Sequence, residues 1–241
     1  NAIISGGSLV GVIGSDVVTL NQTGSFAQSG VGSSIAVTAS DSLAGSSASN
    51  YTLVQPTGLT ASITPKSLTV SGVSVANKVY DGTTTATVTG GTLLGLIGSD
   101  GANVTLTQNA SFASANVGNN ITATLSDSIS GSASANYTLI QPAAVSANIT
   151  PKTLTVTGTV VSNKVYDGTA TATLSNGTIS GAITGDIFTL TQAGNFSSAN
   201  AGNNLSITAN NSFVIASSNS SSALSDYNLV QPTGLQANIT K

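Results

Sequence analysis

Cysteine, histidine, methionine and tryptophan are absent from the 241 residues, and neither glutamate nor arginine occurs. With no Cys there is no disulfide and no thiolate nucleophile. With no Cys, His or Glu, a zinc site, a Ser-His or Cys-His pair and a tuned general acid/base pair cannot be assembled. Ser-Lys chemistry stays formally open through Lys66, Lys78, Lys152 and Lys164, with nothing else in the sequence to support it. The composition therefore predicts a chain that is not an enzyme and carries no cofactor.

Charge is the next shortage. Charged residues make up 5% of the chain, against about 25% in ordinary globular proteins. All acids are Asp and all bases are Lys, with a net charge of -3. Five lysines set singly make no basic stripe for phosphates or anionic lipid, which disfavours nucleic acid and membrane-surface partners. The longest apolar-looking run, Leu93 to Ile97, is far short of the roughly 20 residues of a membrane span, so no membrane insertion is expected. The chain also shows no basic n-region, no apolar h-region and no initiating Met, the pattern of a processed product or a piece of a longer protein. Hydrophobic residues at 39% and a mean hydropathy of +0.28 place it on the folded side of the disorder boundary.

What the chain does contain is repetition. Ile63–Thr84, ITPKSLTVSGVSVANKVYDGTT, returns 86 residues later as Ile149–Ala170, ITPKTLTVTGTVVSNKVYDGTA, with 16 of 22 positions identical. Asn1 aligns with Thr85, so the first copy lacks the opening segment, and a cut within a repeat of a longer protein accounts for that. Each unit then passes through a Gly-punctuated stretch ending in Asp16, Asp100 or Asp186 and a Thr-Leu strand ending on Phe26, Phe112 or Phe196. Alternating runs follow at Ile35–Ala39, Ile121–Leu125 and Leu205–Ala209. Period-two alternation marks half-buried strands. Units close on Tyr51–Pro56, Tyr137–Pro142 and Tyr227–Pro232 and a last alternating strand. The Pro belongs at an edge or turn.

Six or seven short strands per 86 residues, with turn residues between them, predict an all-β chain of tandem Ig-like antiparallel β-sandwich repeats. The short junctions at Pro65-Lys66 and Pro151-Lys152 favour a linear rod. The divisions are 1–66, a truncated repeat, then the full repeats 67–152 and 153–241, the last with an insertion near 213–224. A β-solenoid would need a shorter period.

Lys-Val-Tyr-Asp-Gly-Thr at Lys78–Thr83 and Lys164–Thr169, joined to Asn-Tyr-Thr-Leu and Ile-Thr-Pro-Lys, resembles the YDG-type repeats of filamentous-haemagglutinin-like bacterial exoproteins. The resemblance spans essentially the whole chain. It implies secretion to the bacterial cell surface and a role in adhesion, aggregation or matrix formation, with the repeats as stalk.

The structural turn motif, Tyr80, Asp81 and Gly82 with Tyr166, Asp167 and Gly168, is expected to form an Asx-type turn with positive φ at the Gly. Each Tyr ring should pack at the core edge with its hydroxyl bonded to backbone. Eight singly spaced Asp predict no high-affinity calcium site; a weak one joining Asp16, Asp100 or Asp186 to junction carbonyls stays open. Lys78 with Asn77 or Asn120 and Asp81 supplies the residue types of an isopeptide crosslink, although adjacent Asn77 could not bridge sheets. Thr pairs such as Thr105/Thr107 reflect β-propensity rather than an ice-binding array, and Asn103, Asn136 and Asn148 head sequons.

Three functions follow as expectations: a structural stalk or fibre-forming segment of an extracellular adhesin, a self-assembling filament subunit with strand addition between chains, and a ligand-binding adhesin module. The expected partners are other copies or neighbouring repeats.

Overall fold

Alternation along the chain becomes two-faced strands. In Gly118–Leu125 the side chains of Ala123 and Leu125 are buried while Thr122 and Thr124 face outward, so the strand can cover a core on one side only. The computed structural model describes residues 1–218 and 222–241, and the chain is all-β with four short 3-10 turns among those residues. No described helix is long and apolar enough to cross a membrane.

Each full repeat contributes a five-stranded sheet. In the second repeat the order is Lys78–Val79, Val145–Thr150, Gly118–Leu125, Ala110–Phe112, Thr85–Ala86. In the third it is Lys164–Val165, Gln236–Thr240, Gly202–Ala209, Gly194–Phe196, Thr171–Ala172. The first repeat has a three-stranded version, Gly24–Phe26, Gly32–Ala39, Thr60–Ile63. A second sheet contains the strand that opens the repeat. Lys66–Val75 lies between Tyr137–Leu139 and Val88–Leu94, and Lys152–Thr157 lies between Tyr227–Val230 and Thr178–Ser180.

The sheets are mixed rather than wholly antiparallel, which corrects one part of the expectation. Tyr137–Leu139 runs parallel to Lys66–Leu68, Tyr227–Val230 to Lys152–Thr155, Ile149–Thr150 to Lys78–Val79, and Ile239–Thr240 to Lys164–Val165. The opening and closing strands of a repeat lie side by side, and the many residues between them provide the crossover that a parallel pair needs. Alternation reports which face a residue takes, not which strand lies beside it.

The junctions are short. Only Pro151 separates Val145–Thr150 from Lys152–Thr157, and only Thr64 and Pro65 separate Thr60–Ile63 from Lys66–Val75. Pro56, Pro142 and Pro232 fall outside strands. The insertion near 213–224 lengthens a hairpin: Ile187–Thr191 pairs with Ser212–Ser217, where the second repeat pairs only Thr105–Thr107 with Ser128–Ser130. Residues 219–221 of that insertion lie outside the described residues.

Compactness follows a different division from the repeats. One unit holds residues 1–69, 93–107 and 128–140; the other holds 70–92, 108–127 and 141–241. The core of the first unit is Leu68, Val104 and Tyr137 with Leu93, Leu96, Ile129 and Leu139 packed around them. In the second unit one cluster joins Tyr80, Phe112, Ala123 and Ile149 of the second repeat to Leu154 and Tyr227 of the third. Another fills the third repeat's five-stranded sheet with Phe196, Ile207, Ala209 and Ile239. Leu68 and Leu154 are completely buried, each stabilising by about 2–3 kcal/mol relative to exposure.

Candidate functional site

The Tyr-Asp-Gly-Thr motif folds as a turn closed around an ammonium group. Asp81 Oδ1 accepts the Thr83 N–H at 2.9 Å, an Asx turn, and Gly82 has φ of 76°, a region open to Gly at no steric cost. Lys78 Nζ donates to Asp81 Oδ1 at 2.7 Å, to the Thr83 carbonyl at 2.7 Å and to the Thr85 carbonyl at 3.1 Å. It also lies 5.8 Å from the centre of the Phe112 ring. The third repeat reproduces this. Lys164 Nζ donates to Asp167 Oδ1 at 2.8 Å and to the Thr169 carbonyl at 2.6 Å, 5.7 Å from the Phe196 ring centre, and Gly168 has φ of 78°.

The carboxyls register this cage. Hydrogen bonds from Lys164 and Thr169 hold Asp167 down at about 2. At Asp81 partial burial pushes upward, but the bonds from Lys78 and Thr83 prevail and the net direction is down. Each lysine is thus held by acceptors of its own turn. The Asn77 carboxamide is engaged elsewhere, its Oδ1 accepting the Asn148 N–H, while the Asn120 backbone N–H donates to Asn148 Oδ1.

The two motif tyrosines differ. Tyr80 is 1% exposed, its N–H donates to the Thr150 carbonyl, and its hydroxyl is 2.6 Å from Ser222 Oγ. Its ring meets Tyr227 edge-on at 5.3 Å. Tyr166 is 53% exposed.

The Asp that ends each Gly-punctuated stretch accepts a tyrosine hydroxyl. Tyr51 donates to Asp16 Oδ2 at 2.6 Å, Tyr137 to Asp100 Oδ2 at 2.7 Å, and Tyr227 to Asp186 Oδ2 at 2.6 Å. The N–H groups of Ile13 and Ile97 donate to the first two hydroxyls at 3.0 Å. Asp186 also accepts from Ser218 and Ser222, both at 2.6 Å. Burial raises the Tyr227 hydroxyl and the bond to Asp186 raises it further. These carboxylates act as acceptors within the fold, and no cluster of three metal-ligating acids occurs among the described residues.

Two further devices escaped the sequence reading. Gln141 and Asp127 exchange bonds, Asp127 N–H to Gln141 Oε1 at 2.8 Å and Gln141 Nε2 to the Asp127 carbonyl at 2.7 Å. Gln55 with Asp41 and Gln231 with Asn211 do the same. The signal was present in the recurring Gln-Pro. The second device crosses repeats within each compact unit. Val31 N–H of the first repeat donates to Asn136 Oδ1 of the second at 2.9 Å. Val117 N–H of the second donates to Asp226 Oδ1 of the third at 2.7 Å, while Asp226 Oδ2 accepts the Ala223 N–H. Asp226 is completely buried.

Taken together, the arrangement supplies caps, latches and caged turns, each repeated from unit to unit. No curated protein and no solved structure matches the chain. The YDG domain model matches residues 1–58, 64–146 and 150–234, nearly the whole chain, and the protein belongs to the YDG domain family.

Proposed function

We propose that the chain is a non-catalytic structural segment, a stalk or fibre-forming stretch of an extracellular bacterial adhesin similar to the filamentous-haemagglutinin-like exoproteins. In this reading Ig-like sandwich repeats of about 86 residues follow one another in a linear rod, and neighbouring repeats are the principal partners. The observation that carries it is the cap from one repeat to the next, Val31 to Asn136 and Val117 to Asp226. A backbone N–H bonded to the following repeat makes the orientation of neighbours part of each repeat's own stability. Low charge and hydroxyl-rich strand faces suit a many-copy exterior protein.

Small-angle scattering with electron microscopy of the purified chain tests this reading. A rod of uniform cross-section is expected. A compact particle, or repeats swinging independently, would contradict it.

A further inference from the structure

The third repeat departs from the second at several positions that converge on one place. Ala182 stands where the second repeat has Leu96, Ile187 where it has Asn103, and Phe188 where it has Val104. Leu96 packs against the core of Leu68, Val104 and Tyr137, whereas the shorter Ala182 lies exposed at a cleft of about 500 Å3. The strands Thr178–Ser180 and Ile187–Thr191 supply its apolar walls through Ile179, Ile187, Phe188 and Leu190, and Asp186 lines it as well. A space of this size, mostly apolar with a single charged group, falls in the roughly 300–1,000 Å3 range of small-molecule sites.

Asp186 is 7% exposed, and two of its hydroxyl donors, Ser218 and Ser222, come from the insertion that lengthens this repeat. Burial pushes its carboxyl upward, but the bonds from Ser218, Ser222 and Tyr227 prevail and hold it below its ordinary value. Neither ion pair among the described residues includes it, and a buried charge without a counter-charge is costly. Oδ2 accepts Tyr227 and Ser222, while Oδ1 accepts Ser218 alone. A carboxylate oxygen has room for a second donor. The Tyr227 ring meets Phe188 edge-on at 4.9 Å, so one side chain joins the wall of the cleft to the carboxylate.

We propose that this cleft binds a small primary alkylammonium compound, its chain along Ile179, Phe188 and Leu190 and its ammonium group on Asp186 Oδ1. The uncompensated charge selects a cation, and the apolar walls select an alkyl body. A guanidinium uses both oxygens of a carboxylate for its bidentate fork, and Oδ2 is already filled by Tyr227 and Ser222. An ammonium is a point charge that needs only one oxygen. The cleft is lined by residues of a single repeat, from Gly177 to Leu190, which suits a small molecule rather than an extended partner. The site belongs to the third repeat alone and holds whether or not the chain is a stalk.

The test titrates the full chain with n-pentylammonium chloride at constant ionic strength and follows amide shifts by NMR. Saturable shifts are expected at Ile179 and along Asp186–Leu190, with pentanol binding at least about tenfold more weakly for want of the charge. Ala182→Leu installs the residue that the second repeat carries, so it should fill the cleft, leave the fold intact by circular dichroism and weaken the amine at least about tenfold. Asp186→Asn should bring amine and alcohol to equal affinity; Ala182→Leu decides if that variant does not fold. Shifts that never saturate, equal binding of amine and alcohol by the unaltered chain, or undiminished amine binding by Ala182→Leu would overturn the proposal. Tighter binding of Nα-acetyl-lysine amide than of n-pentylammonium would make the occupant a lysine side chain of another protein and overturn it as well.

Discussion

Tyr80 and Tyr166 hold the same place in successive copies of one motif, yet Tyr80 is 1% exposed and Tyr166 is 53% exposed. The turn beneath them is the same, with Lys78 on Asp81 at 2.7 Å and Lys164 on Asp167 at 2.8 Å. Tyr80 packs against Tyr227 of the third repeat at 5.3 Å, so burial of a motif residue is decided by a neighbour well outside the motif.

Substitution should separate the two. Tyr80→Ala removes a fully buried aromatic and is expected to destabilise by about 3–5 kcal/mol, the range for large aromatics in cores. Tyr166→Ala should stay within about 0.5 kcal/mol, as at other exposed sites. Denaturant midpoints of the two variants check this.

The third repeat's Gln-Asn exchange predicts a smaller loss. Gln231→Ala leaves the Asn211 N–H and carbonyl without their partners, at about 1–3 kcal/mol for a group left unsatisfied in a buried site. Hydrogen exchange at Asn211 reads the effect directly, and Gln231→Glu should restore the N–H bond alone.

Much of this was legible in the sequence and some of it was not. The repeat, the strand alternation at Ile121–Leu125 and the short Pro151 junction are local patterns, and the strands Gly118–Leu125, Val145–Thr150 and Lys152–Thr157 follow from them. The Asx turn at Asp81 is local too. Parallel pairing of Tyr137–Leu139 with Lys66–Leu68 joins residues about a repeat apart, and alternation carries no information on which strand is the neighbour. The tyrosine latches on Asp16, Asp100 and Asp186 were hidden for the same reason. Each residue recurred visibly, but pairing them required the fold.

The caged turns should hold until the pH is low. Asp167 is held at about 2 by Lys164 and Thr169, below its ordinary 3.8. A folded-state value below the unfolded one means that the carboxylate's stabilising contribution is complete above about pH 4 and is lost as pH falls through about 2. Asp81 shifts in the same direction. Carboxyl NMR titration should find Asp167 low in the native chain and restored toward 3.8 by Lys164→Met. An unchanged titration in that variant would remove Lys164 as the cause.

Asp226 couples adjoining repeats. Its two oxygens cap Val117 of the second repeat and Ala223 of the third. Native-state hydrogen exchange should be compared between the full chain and its Asp226→Ala variant. Protection should fall on both sides together, at Val117 and along Val145–Thr150 as well as at Ala223 and Tyr227–Val230. A loss confined to the third repeat, with Val117 and Val145–Thr150 unchanged, would contradict it.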